Sequence, residues 1–156
     1  MIVRPTVADD KSSIMQMLSA SGQFDEDALA FVAGTFDACM SGEGTGQWFS
    51  AEEEGHIIGV AYVNPEPVTI GTWNLLLLWV DPKTQGKGVG RELVNNVRTY
   101  CTDHGARLLI VETSGSDTFQ PARAFYRRIG FTEEARVRNF FADGDDKVIC
   151  TMPLRH

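Results

Sequence analysis

The chain has 156 residues, 43% of them hydrophobic and 22% charged, which is the length and composition of one globular domain with its own core. A net charge of −7 argues against extended nucleic-acid binding, and no apolar run approaches the roughly 18 residues of a membrane span. The three cysteines, Cys39, Cys101 and Cys150, are odd in number and lack Cys-x-x-Cys spacing, which argues against a disulfide framework or a zinc site and predicts reduced thiols in a cytoplasmic protein.

Met1–Pro5 carries no basic stretch followed by an apolar core, so no signal peptide is expected, and Ile2–Arg4 predicts an opening strand. Thr6, with Asp9 three residues on, offers an N-cap to a first helix whose buried stripe is Ile14, Met17 and Leu18. Asp25-Glu26-Asp27 puts negative charge at the start of a second helix, with Leu29, Val32 and Phe36 along one face. Gly42–Gly46 reads as a loop. Gln47–Glu53 and His56–Val63 read as strands of a hairpin turning at Glu54-Gly55, and Thr72–Val80 as a buried strand.

Beyond a glycine-rich loop, Val89, Leu93, Val97 and Tyr100 mark a third helix, and Arg107–Thr113 a further strand. Pro121 fits the first turn of a short fourth helix that Gly130 can end. Phe131–Phe141 and Val148–Leu154 flank the turn signal Ala142–Asp146 and form a last hairpin. The order β-α-α-β-β-β-α-β-α-β-β is that of a mixed α/β (α+β) domain, and no linker or repeat divides it.

The glycine-rich loop, Val80-Asp81-Pro82-Lys83-Thr84-Gln85-Gly86-Lys87-Gly88-Val89-Gly90-Arg91, carries the chemistry. Its alternating glycines let backbone N–H groups converge on an anion, and the following helix adds the positive end of its dipole. A dinucleotide turn, G-x-G-x-x-G, fails because Arg91 occupies the last position counted from Gly86; a P-loop fails because Gly88 follows Lys87. What remains, Gln85-x-x-Gly88-x-Gly90 after an apolar strand, resembles the acetyl-CoA loop of the GCN5-related N-acetyltransferases (GNAT), whose pattern is Arg/Gln-x-x-Gly-x-Gly/Ala. A second stretch, Ala122-x-x-Phe125-Tyr126-x-x-x-Gly130-Phe131, resembles the same family's C-terminal signature and follows in the expected order. One position departs from it: the Asn that often precedes the alanine by three residues is Phe119 here, which cannot offer an amide to pantetheine.

The resemblance, over roughly residues 72–154, implies a single GNAT-like domain. Its fold would be a mixed, mostly antiparallel sheet of six to seven strands flanked by about four helices. Residues 1–71 would shape the acceptor site and residues 72–154 would bind the cosubstrate. Acetyl-CoA, with no metal, would be held by Gln85, Gly86, Lys87, Gly88, Val89, Gly90 and Arg91 at its pyrophosphate. The strand end Leu78, Trp79 and Val80 would pair with pantetheine, with Phe119, Ala122 and Phe125 along the second motif. The reaction implied is direct attack of a primary amine of a small molecule or peptide on the thioester in a ternary complex.

Acetyl transfer needs a proton for the departing thiolate and a way to free the amine. Tyr126 suits the first role, since a phenol of reference pKa about 10 stays protonated at neutral pH and so has a proton to give as the carbon–sulfur bond breaks; the alternative is a tyrosine that only packs and positions sulfur. Glu112, at a strand end, suits a general base if partly buried, or else caps the turn at Thr113-Ser114-Gly115. His56 and His104 read as surface positions, His156 is terminal, and bulk solvent is a further route to free amine. The cysteines and methionines read as packing residues.

Residues 1–80 hold two basic residues against eleven acids, which favours a cationic amine, and Trp48, Phe49 and Trp73 would give its pocket aromatic walls. Lys83, Lys87 and Arg91 surround the loop, and Arg123, Arg127 and Arg128 form a second basic cluster suited to an anionic cofactor. A non-catalytic acyl-CoA sensor or scaffold is the alternative function. Dimerisation through the final hairpin is common among such proteins and is not visible in this sequence.

Overall fold

The computed structural model describes residues 1–155; His156 lies outside them. It contains seven strands, β1 (Ile2–Pro5), β2 (Gln47–Glu53), β3 (His56–Pro65), β4 (Thr72–Val80), β5 (Leu108–Ser114), β6 (Thr132–Ala142) and β7 (Asp145–Pro153). Four α-helices accompany them, α1 (Lys11–Ala20), α2 (Glu26–Met40), α3 (Val89–Asp103) and α4 (Gln120–Arg128). The strands hydrogen-bond in the order β1-β2-β3-β4-β5-β7-β6. The β4–β5 pair is parallel, as a strand–helix–strand crossover through α3 requires, whereas β1–β2, β2–β3, β5–β7 and β6–β7 are antiparallel. The expected mixed sheet and its order of elements are therefore present.

The chain divides into two compact units, Met1–Asn64 with Leu77–Thr99, and Pro65–Leu76 with the chain from Tyr100. In the first unit, Ile14 and Leu18 of α1 and Val32 and Phe36 of α2, each pair four residues apart, cluster with Trp48, Val60 and Tyr62. Trp48 stacks on Tyr62 with centroids 4.7 Å apart and meets the edge of Phe36 at 5.3 Å. On α3, Val89, Leu93, Val94 and Val97 are buried. Gly59 of β3 allows this packing: a Cβ there would lie 3.0 Å from both Leu93 Cδ1 and Val89 Cγ1.

In the second unit the buried residues alternate along the strands, Leu109 and Val111 on β5 against Met152 and Cys150 on β7, as the register pairs them. Tyr126, Phe131, Cys101 and Ala106 are buried in the same unit. Strand β6, at the end of the strand order, is exposed along its length.

Local chemistry explains most boundaries. Asp25 caps α2, its carboxylate accepting the Ala28 N–H at 2.8 Å. Glu54 (φ 52°) and Gly55 (φ 82°) both take positive φ, as a two-residue hairpin turn requires. Thr6 is a correction: its hydroxyl shares a buried hydrogen bond of 2.7 Å with Ser50 instead of capping α1. Asp10 does the local work, accepting the Val7 N–H at 2.9 Å while pairing with Arg4 at 2.8 and 3.0 Å. The last hairpin is tighter than expected, with β7 beginning at Asp145. Asn139 (φ 58°) and Asp146 draw it closed: Asp146 Oδ1 accepts the Asn139 N–H at 3.0 Å, and Asn139 Oδ1 accepts the Gly144 N–H at 2.8 Å.

Candidate active site

In the first unit, β4 runs through Leu78, Trp79 and Val80, all half-buried, into the glycine loop. The Asp81 N–H donates to the Ile58 carbonyl at 2.8 Å, the last anchor before the chain leaves the strand. Pro82–Thr84 form a single 3₁₀ turn, capped by the Asp81 carboxylate accepting the Lys83 N–H at 3.0 Å. Gly86 (φ 86°) and Gly88 (φ 81°) then take left-handed backbone with open space where a Cβ would be, so conformation rather than crowding calls for glycine.

The Gly88 carbonyl accepts the Glu92 N–H at 3.0 Å and so opens α3. By helix geometry the N–H groups of Val89, Gly90 and Arg91 precede the first available intrahelical acceptor and project from the helix end. Val89 is buried and fixes that end to the unit, while Gln85, Gly86, Lys87, Gly88 and Arg91 are exposed and Gly90 is half-buried. Lys87 reaches Glu53 at 3.7 Å. The end of α3 thus presents backbone donors, a positive helix dipole and the cations Lys83, Lys87 and Arg91, an arrangement suited to an anionic phosphate.

In the second unit, a 3₁₀ turn, Asp117–Phe119, leads into α4. Phe119 is 39% exposed at the helix start, and Ala122, Phe125 and Ile129 are half-buried. The buried centre of α4 is Tyr126, 8% exposed. Its ring meets the rings of Phe125 and Phe131 edge-on, each at 5.5 Å. Gly130 (φ 111°) turns the chain so that Phe131 is also buried. Burial pushes the Tyr126 phenol well above its ordinary range, with a smaller contribution from Cys150. The group holds its proton at neutral pH.

Glu112 is half-buried on β5. Its carboxylate pairs with Lys147 and accepts a hydrogen bond from Asn74 Nδ2 at 2.7 Å. The same Nδ2 donates to Glu66 at 2.8 Å. The turn after β5 is held by other groups: the Ser114 hydroxyl accepts the Ser116 N–H at 3.0 Å, and Arg123 Nη1 donates to the Ser114 and Ser116 carbonyls at 2.7 and 2.8 Å. Sequence patterns missed Asn74, Glu66 and Lys147. The available signal was Asn74 itself, the one amide side chain inside the run Trp73–Val80.

Arg123 Nη1 is occupied by the Ser114 and Ser116 carbonyls, and Arg127 forms an exposed pair with Glu133 at 3.1 Å. Two other expectations are revised. Trp48 and Phe49 are buried in the core of the first unit rather than arranged as pocket walls, because β2 is an inner strand, and Trp73 meets the Tyr100 ring at 6.0 Å in the second. Strand β4 is less buried than its apolar sequence suggests: its ladder with β5 runs from Thr72↔Leu108 to Leu75↔Val111, and Leu76 is exposed.

His56 and His104 are exposed as expected. Cys101 and Cys150 are buried and Cys39 half-buried, all three as free thiols, and burial pushes the Cys101 thiol up to about 12. Among the described residues no three His, Cys, Asp or Glu side chains group as metal ligands, and no helix is long and apolar enough to cross a membrane.

Residues 12–131 match the profile of the Acetyltransferase (GNAT) family. A GNAT-family acetyltransferase structure from Desulfovibrio desulfuricans is 30% identical over 99% of both chains, with a TM-score of 0.93. Among curated proteins, the mycothiol acetyltransferase of Amycolatopsis mediterranei (strain U-32) is 32% identical over 91 residues, a match spanning 54% of this chain and 30% of that protein. The fold is shared with the acetyltransferase yncA from Salmonella typhimurium, solved with its cofactor acetyl-CoA, at 16% identity over 100% of this chain and 95% of that one, with a TM-score of 0.80.

Proposed function

Because the chain belongs to the acetyltransferase (GNAT) family, we propose that it transfers the acetyl group of acetyl-CoA to a primary amine of a small molecule or peptide by direct attack. The observation that carries this reading is the start of α3, where the Val89, Gly90 and Arg91 amides, freed by the Gly88 turn and flanked by Lys83 and Lys87, suit the pyrophosphate of coenzyme A. Gln85, Gly86 and Gly88 would shape that cradle. The backbone of Leu78, Trp79 and Val80 would pair with pantetheine, and an N–H there would steady the oxyanion formed at the thioester carbon. Phe119, Ala122 and Phe125 would border the same arm.

As the amine nitrogen bonds to the carbonyl carbon and the carbon–sulfur bond breaks, Tyr126 would give its proton to the thiolate. Glu112 would take the proton released by the amine, directly or through water. The acidic balance of residues 1–80 favours a cationic acceptor. The reduced thiols fit a cytoplasmic protein. Residues 1–71 would shape the acceptor side and residues 72–154 the cosubstrate side of one catalytic domain.

The test is thiol release from acetyl-CoA across a panel of amines, amino acids and peptide N-termini, run beside calorimetric binding of acetyl-CoA. Turnover of a cationic amine supports the proposal. Tight binding without thiol release on any amine would make the chain an acyl-CoA sensor, and turnover of acidic acceptors alone would overturn the charge argument.

A further inference from the structure

We propose that Asn74 is a positioning residue that fixes the Glu112 carboxylate for the acceptor amine; this rests on Glu112 being the proton acceptor. Asn74 is 2% exposed, inside an otherwise apolar stretch of β4. Its Oδ1 is buried without a hydrogen-bond partner. An aliphatic side chain would avoid that penalty, so the position gains nothing in stability from the carbonyl half of the amide. What the amide does is donate.

Nδ2 donates at 2.7 Å to Glu112 Oε1 and at 2.8 Å to Glu66 Oε1. Both carboxylates, when ionised, only accept, so the amide has one allowed orientation: a flip would turn Oδ1 toward two anions. Glu66 therefore locks the amide, and the amide locks Glu112.

The sheet register makes this clamp possible. Asn74 pairs with Ile110 on β5, which places Glu112 two residues further along the same face. Glu112 pairs with Ile149 on β7, which places Lys147 two residues along on that face. Lys147 holds Glu112 Oε2 while sitting 4.1 Å from the Phe140 ring centroid. Glu66 is brought in by its own N–H, which donates to the Thr72 carbonyl at 2.8 Å. Each carboxylate oxygen has about two acceptor sites. With Asn74 on one oxygen and Lys147 on the other, Glu112 is held against rotation yet keeps acceptor capacity for an amine proton.

The test is a double-mutant cycle on the full chain with an amine that the enzyme turns over. Asn74→Leu removes the donor, and Asn74→Ser covers the case in which the leucine variant does not fold. Asn74→Leu should lower kcat about tenfold, the scale of a lost hydrogen bond to a charged group, with the KM for acetyl-CoA unchanged. Glu112→Gln should lower kcat, and adding Asn74→Leu to it should cause no further loss. Losses that multiply in the double variant would overturn the clamp while leaving Glu112 in its role. A Glu112→Gln variant with full kcat would overturn both.

Discussion

The Phe131 N–H donates to the Tyr126 carbonyl at 2.9 Å, closing the end of α4 directly over the residue whose side chain is most buried on that helix. Gly130, at φ 111°, is the hinge that lets the bond form. Backbone closure and ring packing against Phe125 and Phe131 together hold Tyr126 in place without calling on its hydroxyl.

Tyr126→Phe therefore keeps the packing and removes only the proton. Steady-state kinetics should show kcat reduced about 100-fold, the lower range for a positioned acid, with the KM for acetyl-CoA little changed. Because burial raises the phenol's pKa, the hydroxyl stays protonated from neutral pH to about pH 10 in the native protein. An activity loss between pH 8 and 10 that disappears in Tyr126→Phe would contradict this, as would an unchanged kcat.

Gly88→Ala tests the cradle. The site has open space, so the cost is the left-handed backbone, about 1 kcal/mol. Thermal unfolding should show a small drop in Tm. Calorimetry should show acetyl-CoA affinity falling about tenfold or more as the amides at the start of α3 lose alignment. Wild-type affinity in a folded variant would place the phosphate elsewhere.

Gly59→Ala separates packing from ligand contact. Its Cβ would press on Val89 Cγ1 and Leu93 Cδ1 at 3.0 Å and on the Trp79 carbonyl at 3.3 Å. Overpacking of this kind costs about 1–3 kcal/mol. Denaturant unfolding should register that loss. A variant as stable as the parent would mean that α3 is free to shift from β3.

Asp10→Asn probes the anchor of α1. The Arg4 guanidinium holds the Asp10 carboxyl below the usual carboxylate range, against the opposing effect of burial. A group whose pKa is lower folded than unfolded adds stability above its unfolded value, and loses it as pH falls through the folded one. The substitution should cost about 2 kcal/mol near neutrality, discounted from a fully buried pair because Arg4 is partly exposed. The difference in Tm between parent and variant should shrink below about pH 4. A gap constant with pH would assign the effect to shape rather than charge.

Features set by neighbouring residues were legible in the chain. Glu54-Gly55 announced a hairpin because only a few residues tolerate positive φ, and Gln85-x-x-Gly88-x-Gly90 announced an anion-binding turn for the same reason. Features set by register were hidden. Thr6 looked like a cap until Ser50, 44 residues away, supplied a buried partner. Glu112 could be singled out, but its surroundings come from Glu66, Asn74 and Lys147, on segments that become neighbours only once β4, β5 and β7 are aligned. The charge of Arg123 is visible in sequence, while the Ser114 and Ser116 carbonyls that orient its guanidinium are not.

Incubation of the protein with acetyl-CoA labelled in the acetyl carbonyl, together with cationic amines, follows the acetyl carbon from donor to acceptor. The label should appear in an amide of the acceptor, with one thiol released for each amide formed. Label recovered only as acetate, or left on coenzyme A despite saturable binding, would contradict it.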